Sequence, residues 1–189
     1  MSRLPLLLAG AALLATLACG GGGGGGGASA PAGPPATTLS YSGPAADTTQ
    51  WQLVEDSAST STHLVLDLLA PAGAAGLGVT AVLTLNPAQA TWSYVAGSAY
   101  AAQTLFQNPK VDLASLSADK SQLRLLLGQA AGTAAVAYGS TPVVQVALDL
   151  AASATQSGAV TLTATQGGHL GTSPTPSAIT IQVGTLQTQ

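Results

Sequence analysis

The sequence predicts an all-β domain, a two-sheet sandwich of about nine short strands, and three observations predict it. After residue 38, apolar residues recur at every second position over several stretches, the period of a half-buried strand. Turn signals rich in Gly, Pro and Asn separate those stretches at short intervals. The chain has 189 residues, close to one domain, and its 47% apolar share comes largely from small side chains. Charged residues are only 6%, against about 25% in ordinary soluble domains. Lys and Arg together number 4, too few to neutralise a phosphate backbone, so nucleic acid is excluded as a partner. A single cysteine excludes a disulfide framework and a thiolate-rich metal site.

The first element, residues 1–18, is a targeting segment. Arg3 precedes an apolar run from Leu4 to Ala18, shorter than the ~20 residues that span a bilayer. A positive start, a short apolar stretch and small residues at its end make an export signal. Cys19 follows Ala15, Thr16, Leu17 and Ala18 directly. This resembles the bacterial lipoprotein signal, whose lipobox ends in the cysteine that receives lipid. The resemblance implies cleavage before Cys19, acylation of Cys19 and a membrane anchor. Gly20 stands after the cysteine, not the Asp that retains many such proteins at the inner membrane. The family rule therefore points to the outer membrane of a Gram-negative cell, on its periplasmic face or at the cell surface. Residues 19–37 form a tether of eight glycines followed by a Pro-rich stretch. Polyglycine buries nothing and loses the most entropy on ordering. As a flexible coil, residues 20–37 have a root-mean-square span of roughly 23 Å.

The domain is expected over residues 38–189. Without Arg3 it carries 3 basic and 7 acidic side chains, a net charge of −4. Early strands are expected at 38–42, 51–55 and 63–69. In 78–86, Val79, Ala81, Leu83 and Leu85 share one face, with Thr80 and Thr84 on the other. Strands at 91–95, 122–127 and 133–138 follow. In 143–150, Val144, Val146, Leu148 and Leu150 alternate with Gln145, Ala147 and Asp149. In 159–165, Val160, Leu162 and Ala164 alternate with threonines, and in 178–183 Ile179, Ile181 and Val183 alternate with Thr180 and Gln182. Turns are expected at 71–76, 86–87, 108–109, 139 and 167–176. Only 98–107 and 113–120 are expected to form short helical turns.

Residues 63–186 resemble a cohesin-type module, on HLVLDLLAP, GLGVTAVLTLNPAQATWSYVAGSA, QLRLLLGQ, TPVVQVALDL and ITIQVGTLQ taken in that order. The resemblance implies a jelly-roll sandwich related in shape to carbohydrate-binding modules. It also implies a protein partner held on one sheet face. Asn86 stands where the family has an Asp before the turn proline, and residues 38–60 are not accounted for by the module.

The residues point away from catalysis, and no cofactor or metal is expected. His63 opens a strand and His169 falls in the Gly-rich loop; neither joins a triad, and no G-x-S-x-G elbow is present. Glu55 and Asp56 read as solvated acids. Asp67 and Asp149 lie within apolar strands and are expected to point outward or cap an edge. The aromatics that are candidates for sugar stacking are Trp51, Trp92, Tyr94, Tyr100 and Phe106. The core is expected to claim most of them, while Trp92, Tyr94 and Tyr100 are the candidate binding surface, for a stacked sugar or a protein. The expected function is that of a non-catalytic protein-interaction module in an envelope assembly, for instance a secretion or pilus-related one. The alternative is a carbohydrate-binding lipoprotein using Trp92 and Tyr94. A coplanar exposed aromatic row would favour polysaccharide; a flat apolar-and-Thr sheet face over buried aromatics would favour protein.

Overall fold

A computed structural model describes residues 34–107, 110–130, 132–154, 157–173 and 175–189. The leader, Cys19 and the eight glycines lie outside the described residues. Within them are sixteen strands and no helix. In chain order these are β1 Leu39–Ser42, β2 Trp51–Glu55, β3 His63–Leu69, β4 Ala75–Gly76, β5 Gly78–Leu85 and β6 Ala90–Ser93. There follow β7 Ala101–Ala102, β8 Lys110–Leu116, β9 Gln122–Gln129, β10 Val136–Ala137 and β11 Val144–Leu150. The last are β12 Gly158–Val160, β13 Leu162–Leu170, β14 Ser177–Ala178, β15 Ile181–Gln182 and β16 Thr185–Thr188.

Two sheets carry the domain. The first has the order β15-β2-β3-β11-β6, with β7 also paired to β11; the second has the order β14-β13-β5-β9-β8. All pairings in both are antiparallel except β15 with β2. A ribbon β1-β16-β12 and the pair β10-β4 complete the set. The chain passes repeatedly between the two sheets: β3 and β11 belong to the first, β5 and β13 to the second. The alternating strands face one another across a single apolar core. Leu64, Leu66, Val146 and Leu148 enter it from the first sheet, and Val79, Leu83, Leu123 and Leu127 from the second. Burying each such side chain contributes roughly 1.5–3 kcal/mol, which is how a chain with few charges and no disulfide in these sheets coheres.

The expected all-β sandwich is the observed architecture, and the face assigned to 78–86 is the buried one. Several boundaries differ. No helical turn forms at 98–107 or 113–120: β7 occupies part of the first, and β8 runs through Leu116 in the second. Leu113 and Leu116 are three residues apart and imitate a helical face, but in the strand they point to opposite sides. The expected strand 159–165 is two, broken at Thr161, with β12 and β13 in different sheets. The expected strand 178–183 likewise splits between β14 in the second sheet and β15 in the first. β13 continues to Leu170, through the segment expected as a loop. Its glycines serve packing: a Cβ on Gly167 would lie 2.8 Å from the Ile179 side chain. The N-terminal stretch is integral, because β2 sits between β15 and β3 inside the first sheet.

Tyr41 ties these parts together. Its hydroxyl donates to the Leu53 carbonyl at 2.8 Å and accepts the Gly184 N–H at 2.7 Å. Burial pushes that hydroxyl above the ordinary tyrosine range.

Candidate binding surface

The outer face of the second sheet is where apolar side chains meet solvent. Alternation along β5 and β9 sends Val79, Leu83, Leu123, Leu125 and Leu127 inward, and their neighbours outward. Register then aligns the outward residues across strands: Thr80 faces Leu126, and Leu126 faces Leu113. One step along, Gly78 faces Gly128, and Gly128 faces Val111. Leu113 is 60% exposed, Leu126 45% and Val111 41%. They are three of the four exposed large apolar side chains among the described residues. Such clustering departs from the scattered single exposures of an ordinary surface.

The paired glycines make the face concave. A Cβ on Gly128 would stand 2.7 Å from the Leu77 carbonyl oxygen, and one on Gly78 would stand 2.8 Å from that of Leu127. Side chains are sterically refused there, so bare backbone floors a depression of about 220 Å³ walled by Val111, Leu126, Leu170 and Pro176. Arg124 lies beside it, across from Ser115 and Val82. The basic residues within the described range, Lys110, Lys120 and Arg124, all belong to the β8–β9 hairpin.

The first sheet presents a polar outer face. The Gln145 amide donates to the Asp67 carboxylate at 2.9 Å. Asp67 points to this outer face, as expected, but is covered there and only 8% exposed; its neighbour Val65 on the same face is also buried. Burial pushes its carboxyl above the usual range, against the Gln145 hydrogen bond, and Asp56 adds to the rise. Nearby, His63 Nδ1 lies 2.5 Å from Asp149 Oδ1, and the Ser93 hydroxyl donates to Asp149 Oδ2 at 2.6 Å. The residue types are those of a hydrolytic triad, but the order is wrong. The carboxylate stands in the middle, so the serine proton points at an acid and not at a histidine base. His169 lies in a strand, its ring packed on Trp51 and Tyr138 with centroids 5.4 and 5.6 Å away, and its Nε2 is 3.2 Å from the Tyr138 hydroxyl. Burial pushes the His169 ring below its ordinary pKa, and a main-chain hydrogen bond with Ala75 opposes the shift. Tyr138 is pushed up to about 12 by burial.

The structure separates the aromatic candidates. Trp51, Phe106 and Trp92 are all buried. Trp92 faces inward beside Leu148, and its indole Nε1 has no hydrogen-bond partner among the described residues. Tyr94 follows the end of β6 and is exposed, so it does not continue a strand face with Trp92. Its ring instead stacks on Tyr100, with centroids 4.4 Å apart and planes at 36°. The Tyr94 hydroxyl beside it holds the Tyr100 hydroxyl above its ordinary range. The apolar face on β8 and β9 was not singled out in the sequence. Its signal was present in the unbroken Leu125–Leu127 run, which has no phase of its own. Among the described residues no group of three His, Cys, Asp or Glu could hold a metal ion.

No family model matches the chain, and no curated protein matches it. Among solved structures the chain is similar to a type II cohesin domain from the cellulosome of Acetivibrio cellulolyticus, with a TM-score of 0.47 and 10% identity. The similarity covers 71% of this chain and 91% of that one. It assigns no partner and no activity to this chain.

Proposed function

We propose that the protein is a non-catalytic binding module that takes a protein partner on the outer face of its second sheet. One observation carries the reading: Thr80, Leu126, Leu113 and Val111 form an apolar-and-Thr face around a recessed glycine floor, while Trp51, Trp92 and Phe106 are buried. A protein surface can fill such a face by shape and apolar contact. On this reading the chain is exported, acylated on Cys19 and held by its Gly-rich tether at the outer membrane, within an envelope assembly such as a secretion or pilus-related one. A photo-crosslinking residue at Thr80 in intact cells is expected to give one discrete protein adduct that is lost on Leu126→Asp. No adduct, or one indifferent to Leu126→Asp, sinks the reading. The anchor has its own test: palmitate label on the wild type and none on Cys19→Ser.

The stacked pair Tyr94–Tyr100 favours a second reading, carbohydrate binding, because an exposed ring offers a face for a sugar. Specific polysaccharide retention abolished by Tyr94→Ala would establish it in place of the first.

A further inference from the structure

Arg124 is the one charged residue at an outward position of β5, β8 or β9. It stands on β9 between Val82 and Ser115, with Gln122 and Leu126 two residues to either side. Its side chain is exposed and donates to the Gln122 amide oxygen at 3.2 Å. Among the described residues no carboxylate forms an ion pair with it. The acid at the tip of the same hairpin, Asp119, takes its hydrogen bonds from Ser117 and Ser121. A lone cation among Leu, Val, Thr and Ser is tolerated while water covers it. An apolar partner strips that water, and a guanidinium left without an acceptor then opposes binding. A carboxylate answers it, because the planar fork of Arg donates two parallel hydrogen bonds to one carboxylate.

We propose that the partner on this face is a different protein, one that presents an acidic side chain to Arg124 and an aliphatic side chain to the glycine-floored depression. The proposal rests on docking at the outer face and names the chemistry of what docks there. The two anchor points, Arg124 and Gly128, lie four residues apart on β9, about 14 Å along the strand. One element of the partner spans both, crossing Leu126 and Leu113 on the way. Charge removes the other occupants. Residues 1–33 hold Arg3 and no acid. The same face of a second copy brings only another Arg124. The first sheet of a second copy carries acids, but there Asp149 is bonded to His63 and Ser93, and Asp67 to Gln145. Without Arg3 the chain carries a net charge of −4, with its basic residues gathered on the β8–β9 hairpin as Lys110, Lys120 and Arg124. An acidic partner is therefore repelled by the domain as a whole and received at this hairpin.

The test uses the full chain. Photo-crosslinking from Thr80 in intact cells captures the partner, and mass spectrometry identifies it. A second probe at Ser115, the neighbour of Arg124 on β8, is expected to mark a peptide of the same partner that contains Asp or Glu. With the purified pair, Arg124→Glu is expected to weaken binding about tenfold or more, and Arg124→Gln by less. Replacing the partner's marked acid by Lys is expected to restore affinity for Arg124→Glu. Urea midpoints equal to that of the wild type check that the variants keep the fold; should Arg124→Glu lower its midpoint, Arg124→Gln carries the test. A Thr80 adduct that is lost on Leu126→Asp, with an affinity indifferent to both Arg124 variants, overturns the proposal and leaves docking on this face standing. No adduct removes both. An adduct within residues 1–33 or with a second copy of the chain also overturns the proposal.

Discussion

Leu148 lies between Leu64 and Trp92 across the strands and has no exposed surface. Truncation there removes transfer energy and leaves a cavity, so Leu148→Ala is expected to cost about 2–5 kcal/mol in urea unfolding. A near-zero cost would mean that this face of β11 does not line the core. Leu113→Ala, by contrast, removes an exposed side chain and is expected to change monomer stability by no more than about 0.5 kcal/mol. His169 makes a pH prediction. Its ring is harder to protonate folded than unfolded, where its pKa is about 6.5. As pH falls below that value the unfolded chain takes up the proton more readily. The contribution is therefore complete above about pH 6.5 and declines on acidification. Urea titrations at pH 7.5 and 5.5 are expected to show a larger loss for the wild type than for His169→Gln; equal losses refute the assignment.

At the scale of elements, the clamp at Tyr41 joins three segments distant in sequence: β1, β2 and the turn before β16. Tyr41→Phe keeps the ring and removes the hydroxyl, leaving the Leu53 carbonyl and the Gly184 N–H without that partner. An unpaired buried group costs roughly 1–3 kcal/mol, and calorimetry of Tyr41→Phe is expected to show a loss of that order. A loss confined to a few tenths would mean water replaces the hydroxyl. The elements also differ in how plainly they were written in the chain. β5 and β11 were plain because their core-facing residues recur at every second position, Val79, Ala81, Leu83 and Leu85 in β5 and Val144, Val146 and Leu148 in β11. β8 was hidden because its apolar residues serve both faces, Leu113 outside and Leu116 inside. The division of 178–183 between two sheets was hidden because alternation continues through a sheet change: Ile179 and Ile181 both pack inward on either side of it. The apolar outer face of the second sheet was hidden for a related reason. In Leu125–Leu127 the exposed member is chosen by the strands on either side, not by the run itself.

For the whole molecule, the sparse charge acquires a spatial meaning. Acidic and polar groups gather on the first sheet around Asp67 and Asp149, with Gln145, His63 and Ser93 satisfying them. The second sheet has Arg124 and an apolar field instead.

The ribbon of β1 with β16 pairs Leu39 with Thr188, and the parallel pair β15–β2 closes a loop of similar length. Residues near the two extremes of the domain must meet before either pairing exists, and closing so long a loop is entropically slow. A growing chain therefore cannot complete its first sheet until Gln182 has emerged, nor the β1-β16-β12 ribbon until Thr188 has. Until then β2 and β1 remain without these neighbours, and the polypeptide stays threadable while it is being made.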